Sequence, residues 1–359
     1  MLKMKKLLLQ ATALCALSIP AHADITVMSW GGAYEKSQVE AYNKPFTAET
    51  GVKINMTSAD NPAAPIKSMV EAGNVTVDVA DLEFTDAVRL CDEGVLESID
   101  PASLPPSPDG MPASEDFIQG ALTDCAVASM VFATVYGYDT TKFPDAKPTT
   151  IADLFDTKKF PGKRAFRKGP KINLELALMA DGVPASEVYK VLETPEGVDR
   201  AFKKLDSIKN DIIWWEAGAQ PPQLLADGEV VMATAYNGRL FSAMISEGKP
   251  FQIVWDGQVQ EYDLFAIPKG SPNKDEALEY IKFATSTKPL ADQTKWIAYG
   301  PTRKSSLPLV GTYEDGKTEM QNYLPTAEVN MKNALTSSYD YWVDRETELT
   351  ERFNTWLAQ

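Results

Sequence analysis

The sequence predicts an α/β fold with room for about two domains. Strand-like and helix-like segments alternate, and the joints between them are short and marked by glycine, the pattern of a parallel α/β sheet. Residues 127–138 form an unbroken apolar, β-branched run, as expected of a strand covered on both faces. The chain has 359 residues, more than a single hydrophobic core usually serves.

The elements follow in order. Residues 25–30 alternate and are β-rich, so they predict a first strand, broken by Gly31 and Gly32. Val39, Tyr42 and Phe46 have helical spacing within 35–50, and Gly51 stops that helix. A second strand follows at 52–56, a short helix at 65–72, a third strand at 75–82 and a helix at 85–93. Residues 101–112 are rich in Pro and Ser and predict a surface loop. A helix opens near Ile151 behind a Thr149-Thr150 cap. Further helices are expected at 173–180, 196–208, 223–226, 275–285, 290–297 and 337–357, with strands after the turn at 160–164 and at 230–235 and 261–268. No internal repeat and no low-complexity segment interrupts this series.

The start of the chain reads as an address. Lys3, Lys5 and Lys6 precede an apolar run to Ile19, and Ala21-His22-Ala23 ends it, which is the build of a secretory signal peptide over residues 1–23. The run is too short to span a bilayer comfortably, and no later stretch is long and apolar enough to try. Cys15 follows Leu14 rather than a small residue, which argues against lipidation. Cleavage after Ala23 removes three lysines and no acid, so the net charge moves from −15 to −18. It also removes His22, the one histidine.

That loss excludes several chemistries. Without an imidazole no Ser-His-Asp or Cys-His arrangement can be assembled, and a His-rich catalytic zinc site is equally ruled out. The acidic balance argues against nucleic acid as a partner. No metal and no cofactor is called for. Cys91 and Cys125 remain; in an exported chain they are disulfide candidates, with two buried free thiols as the alternative.

Five phrases, in order, resemble the periplasmic substrate-binding proteins of ABC importers, in particular the spermidine/putrescine-binding family. They are ITVMSWGGAY (25–34), KPTTIADLFDTKKFPGKR (147–164), GEVVMATAYNGR (228–239), DLFAIPKG (263–270) and YGPT (299–302). The resemblance covers essentially the whole chain after the signal segment. It implies a type II periplasmic binding protein: two α/β lobes, strands crossing near Phe132 and Tyr262, and a ligand cleft at the hinge. Lobe one would comprise 24–132 and 263–310, and lobe two 133–262 and 311–359. It implies no enzyme activity, a small-molecule amine as ligand, an inner-membrane ABC permease as partner, and a monomer.

A desolvated amine needs an opposite charge within reach and aromatic faces for its methylenes. By resemblance, Trp30, Tyr34, Tyr236 and Tyr299 are the aromatic walls, Gly31 and Gly32 allow a close backbone approach, and Asp263 is the anchoring carboxylate. Glu83, with Phe84 and Thr85, stands where the family presents polar contacts from lobe one. Trp214 and Gln220 lie on a segment before Pro222 that reads as a loop bordering the cleft.

Two departures matter. Where polyamine binders of this family carry an acidic pair, this chain has Arg167-Lys168-Gly169-Pro170-Lys171-Ile172, and where they carry a Trp two places before the strand carboxylate, it has Glu261. The first expectation is therefore a putrescine or spermidine carrier. The alternative is a binder of an ω-amino acid such as 4-aminobutyrate, whose carboxylate would meet Arg239, Arg167 or a helix N-terminus. A carboxylate-based hydrolase and an adhesion or scaffold protein are the distant competitors.

Overall fold

A computed structural model describes residues 23–359; residues 1–22, with His22 and all but the last residue of the expected signal peptide 1–23, lie outside the described residues. One nine-stranded sheet runs through the molecule. Its strands are β1 (Ile25–Ser29), β2 (Ile54–Ser58), β3 (Val79–Glu83), β4 (Ala126–Asp139), β5 (Arg164–Arg167), β6 (Ile212–Trp215), β7 (Met232–Tyr236), β8 (Phe251–Ala266) and β9 (Leu335–Thr336). Their order is β2-β1-β3-β8-β4-β7-β5-β6, with β9 beside β8.

The sheet is mixed rather than parallel. β1 pairs in parallel with β2 and β3, and β5 does so with β6 and β7. The two long central strands, β4 and β8, run antiparallel to each other, β8 antiparallel to β3 and β4 antiparallel to β7, while the short β9 joins β8 in parallel. Each passes from one half of the molecule to the other. β8 lies against β3 at Leu264–Ala266, and β4 lies against β7 at Thr134–Tyr138. In the middle, Val131 pairs with Tyr262 and Phe132 with Glu261. The register shifts on either side of this stretch, between Ala128 and Met130 and between Thr134 and Tyr136.

Every residue of β4 is buried, which is why the sequence shows it as one continuous apolar run. β8 is longer than its predicted 261–268 because its first ten residues mix Gln252, Asp256, Gly257 and Gln258 into the apolar pattern. Residues Ile212–Trp215 form a strand rather than a loop, and an unpredicted helix, Asn237–Ile245, follows β7 directly.

Separate apolar clusters pack the two halves. One gathers Val27, Leu82, Phe265 and Tyr280; the other gathers Phe160, Phe166, Leu174 and, from the C-terminal helix Tyr339–Leu357, Trp342 and Phe353. Cys91 and Cys125 are joined by a disulfide, which ties the helix Phe84–Asp92 to the start of β4. No helix among the described residues is long and apolar enough to cross a membrane.

Candidate functional site

The crevice opens where strand ends from both halves converge. β1 stops at Ser29, and the chain turns through Gly31 (φ 67°) and Gly32 (φ 60°) into the helix Gly32–Gln38. The turn needs glycine twice over. Both φ values are left-handed, and a Cβ on Gly32 would lie 2.3 Å from Nη1 of Arg239. Arg239 comes from the other half, in the first turn of Asn237–Ile245, and its Nη2 donates to the Trp30 carbonyl at 3.1 Å.

Rings wall the space. Tyr34 and Tyr299 meet edge to face at 5.4 Å, Phe132 and Tyr236 at 5.3 Å, and Trp215 packs behind Tyr236 at 5.6 Å. Trp30 and Met130 also line the crevice, and Asp60, Glu216 and Gly218 stand at it as well. The space among these residues is about 450 Å³ with the open mouth included.

Asp263 is 4% exposed and faces this space from β8, directly opposite Glu83 on β3. Its Oδ1 is buried without a hydrogen-bond partner. Burial drives its pKa well above the ordinary carboxylate value, and the nearby acids Asp81, Glu83 and Glu261 add to the rise. Arg239 is 8% exposed, and its Nε is likewise buried without a partner. The indole Nε1 of Trp30 has none either. Buried polar atoms in folded proteins are nearly always paired, so three such atoms around one crevice point to groups that a ligand satisfies.

The neighbouring acids differ. Arg167 donates from Nη1 to Oε1 of Glu83 at 3.0 Å, and Lys171 Nζ lies 3.7 Å from Oε2 of Glu83 and 2.6 Å from Oε1 of Glu261. Burial alone would raise Glu83, but Arg167 and Lys171 outweigh it and hold the carboxyl below its usual value. Glu261 stays raised, because burial and the Glu83 charge exceed the pull of Lys171.

Of the sequence-selected residues, Trp30, Tyr34, Glu83, Tyr236, Arg239, Asp263 and Tyr299 converge on one crevice. Others stand apart from it. Trp214 is packed against Phe353 at 5.2 Å and Trp356 at 6.0 Å in the second core. Gln220 is exposed, and its Oε1 accepts from the backbone of Glu216 and Ala217, closing the turn before its own helix. Phe84, Thr85 and Glu261 face an adjoining hollow with Tyr262 and Tyr339. Arg167, considered for a ligand carboxylate, is engaged by Glu83. Met130, Phe132, Asp60, Glu216 and Gly218 were not singled out as ligand contacts. Strand geometry puts Met130 and Phe132 on one face of β4; Gly218 has only the Tyr236 ring, 2.8 Å from where a Cβ would stand, invisible in sequence.

Two α/β halves spanned by shared strands, with unpaired charges in the gap between them, define a two-lobed solute-binding protein. The chain belongs to the bacterial extracellular solute-binding protein family, whose model matches residues 41–321. It is 43% identical over 354 residues to the gamma-aminobutyric acid-binding protein of Pseudomonas aeruginosa, covering 99% of this chain and 96% of that one. Among solved structures it is similar to the Atu4243–GABA receptor, with 34% identity, a TM-score of 0.78 and coverage of 94% of this chain and 98% of that one. The putrescine-binding periplasmic protein PotF of Escherichia coli matches at 27% over 128 residues, 34% of each chain. The protein is thus a solute-binding component of an ABC transporter and not an enzyme. The polyamine resemblance narrows to this broader family, and the ω-amino acid alternative has the better support.

Proposed function

We propose that this protein captures 4-aminobutyrate, or a closely related ω-amino acid, and delivers it to an inner-membrane permease. One observation carries the reading: an acceptor, Oδ1 of Asp263, and a donor, Nε of Arg239, are buried without partners around the same crevice. A zwitterion with separated ends answers both. Its ammonium supplies the donor that Asp263 lacks, and its carboxylate supplies the acceptor that Arg239 lacks. The aromatic walls take the methylenes between them. A diamine would meet Asp263 equally well but would bring no acceptor for Arg239. The relatives named for this ligand support the same choice.

In this reading the signal peptide is removed after Ala23, the protein works in the periplasm as a monomer, and the lobes 24–132 with 263–310 and 133–262 with 311–359 close about the hinge at β4 and β8. The test is calorimetric titration of refolded, ligand-stripped protein with 4-aminobutyrate, putrescine, spermidine and arginine. The expected result is one-to-one binding of 4-aminobutyrate, with putrescine weaker by about tenfold or more. Tighter binding of putrescine would contradict the proposal.

A further inference from the structure

The acids of the site form a row. Glu83 pairs with Asp263 across the β3–β8 ladder, and Glu261 lies two residues along β8 on the same face, about 7 Å away by strand geometry. That spacing is on the scale of a short diamine. A row of three buried carboxylates is a site for a polycation, yet the far end of this row is filled from within. Lys171 Nζ sits 2.6 Å from Oε1 of Glu261 and 3.7 Å from Oε2 of Glu83, and donates to Oγ1 of Thr85 at 3.2 Å. Arg167 holds the other oxygen of Glu83.

The backbone beside Lys171 is unusual. Ile172 has φ 72° and ψ −43°, and it is the only residue other than glycine with a positive φ among the described residues. A β-branched residue in that conformation is strained, and such strain persists where the surrounding structure requires a particular placement. Here it turns the chain from the Gly169-Pro170 bend into the helix Asn173–Ala180 while Lys171 reaches Glu83 of the other half and Glu261 on β8. Beyond Glu261 lies the adjoining hollow, about 850 Å³ with its open side included, walled by Phe84, Tyr262 and Tyr339. Lys171 therefore stands between the crevice and a second, aromatic-lined space.

We propose that Lys171, with Arg167, determines ligand length and charge: its ammonium takes the place that the second ammonium of a diamine would occupy. Resting on the reading that Asp263 holds the ligand's amine, this assigns to a lysine of the chain the exclusion of polyamines. Glu261 keeps one buried oxygen, Oε2, without a partner, so the far end of the row still has an acceptor to offer when the lysine is removed.

The test compares the wild-type protein with Lys171→Ala, Lys171→Met and Lys171→Arg by titration with 4-aminobutyrate, putrescine and spermidine, each variant checked for a cooperative melt. Neutralising Lys171 should raise putrescine affinity by about tenfold or more relative to wild type, as expected when a buried like charge is removed, and change 4-aminobutyrate affinity much less. Lys171→Met keeps most of the stem's bulk and carries the test where the alanine variant does not fold. Lys171→Arg retains the charge and should gain nothing. An unchanged putrescine affinity in the folded neutral variant, or an equal gain in Lys171→Arg, would overturn the proposal. Wild-type preference for putrescine would instead overturn the amino acid reading, which the titration of the unmodified protein reports separately.

Discussion

Asp263 and Glu83 face each other across two adjacent strands, both nearly buried, yet they have opposite fates. Glu83 is met by two cations of the chain and is held below its usual pKa. Asp263 has an unpartnered oxygen and is pushed well above its usual value, chiefly by burial. Burying a carboxylate without a partner is costly, and that cost is tolerated where a ligand later supplies the partner. On the proposed reading, the difference separates a structural acid from a binding acid at neighbouring positions of one sheet.

The largest expected effect that sharpens this contrast is on binding. Asp263→Asn should weaken 4-aminobutyrate by about 2–4 kcal/mol, or ~30- to ~1000-fold. The melting temperature of the unliganded variant should hold or rise, because the substitution removes an uncompensated buried charge. Glu83→Gln should do the reverse. It strips Arg167 and Lys171 of a shared buried partner, so thermal or urea unfolding should report a loss of about 3 kcal/mol. Titration should find 4-aminobutyrate affinity changed by less than about threefold. If both variants lose binding and stability alike, the distinction between the two acids fails.

Arg239→Gln tests the other end of the ligand. Calorimetry should show 4-aminobutyrate weakened by about tenfold or more, with putrescine changed little. Equal losses for both ligands would mean that Arg239 acts on the fold of the crevice rather than on a carboxylate.

The smallest effects are in the pH dependence, and their signs differ. The folded pKa of Asp263 is raised, so unliganded stability from this group increases as pH falls through that raised value toward the ordinary carboxylate range. Over the same fall, affinity for an ammonium decreases, since the protonated acid no longer attracts it. The folded pKa of Glu83 is depressed, so its contribution is present above the ordinary value and is lost as pH falls through the depressed one. Titrations across pH should show the affinity slope in the wild type and a flat profile in Asp263→Asn.

Much of the fold is legible in sequence where local chemistry decides it. The buried run that becomes β4 and the strand–helix alternation of 25–92 can be read directly, as can Asp263 once the phrase DLFAIPKG is matched to its family. The rest depends on partners distant in the chain. No element is read from sequence directly after 235, yet Asn237-Gly238 opens a helix whose Asn237 amide donates to the Ala298 carbonyl and whose Arg239 reaches Trp30. Trp214 has the residue type of a cleft wall, but packing against the C-terminal helix claims it. The stretch 167–172 is conspicuous for its positive charges, but that they neutralise Glu83 and Glu261 follows only from strands 84 or more residues away in sequence. Gln252, Asp256 and Gly257 hide the first half of β8 because β8 changes partners and register there.

The most direct test is a crystal structure of the protein saturated with 4-aminobutyrate. The ligand's ammonium nitrogen should lie about 2.7–3.1 Å from a carboxylate oxygen of Asp263, with its carboxylate accepting from Arg239. A ligand lodged in the hollow beside Tyr262 and Tyr339, or turned so that its amine lies away from Asp263, would contradict this account.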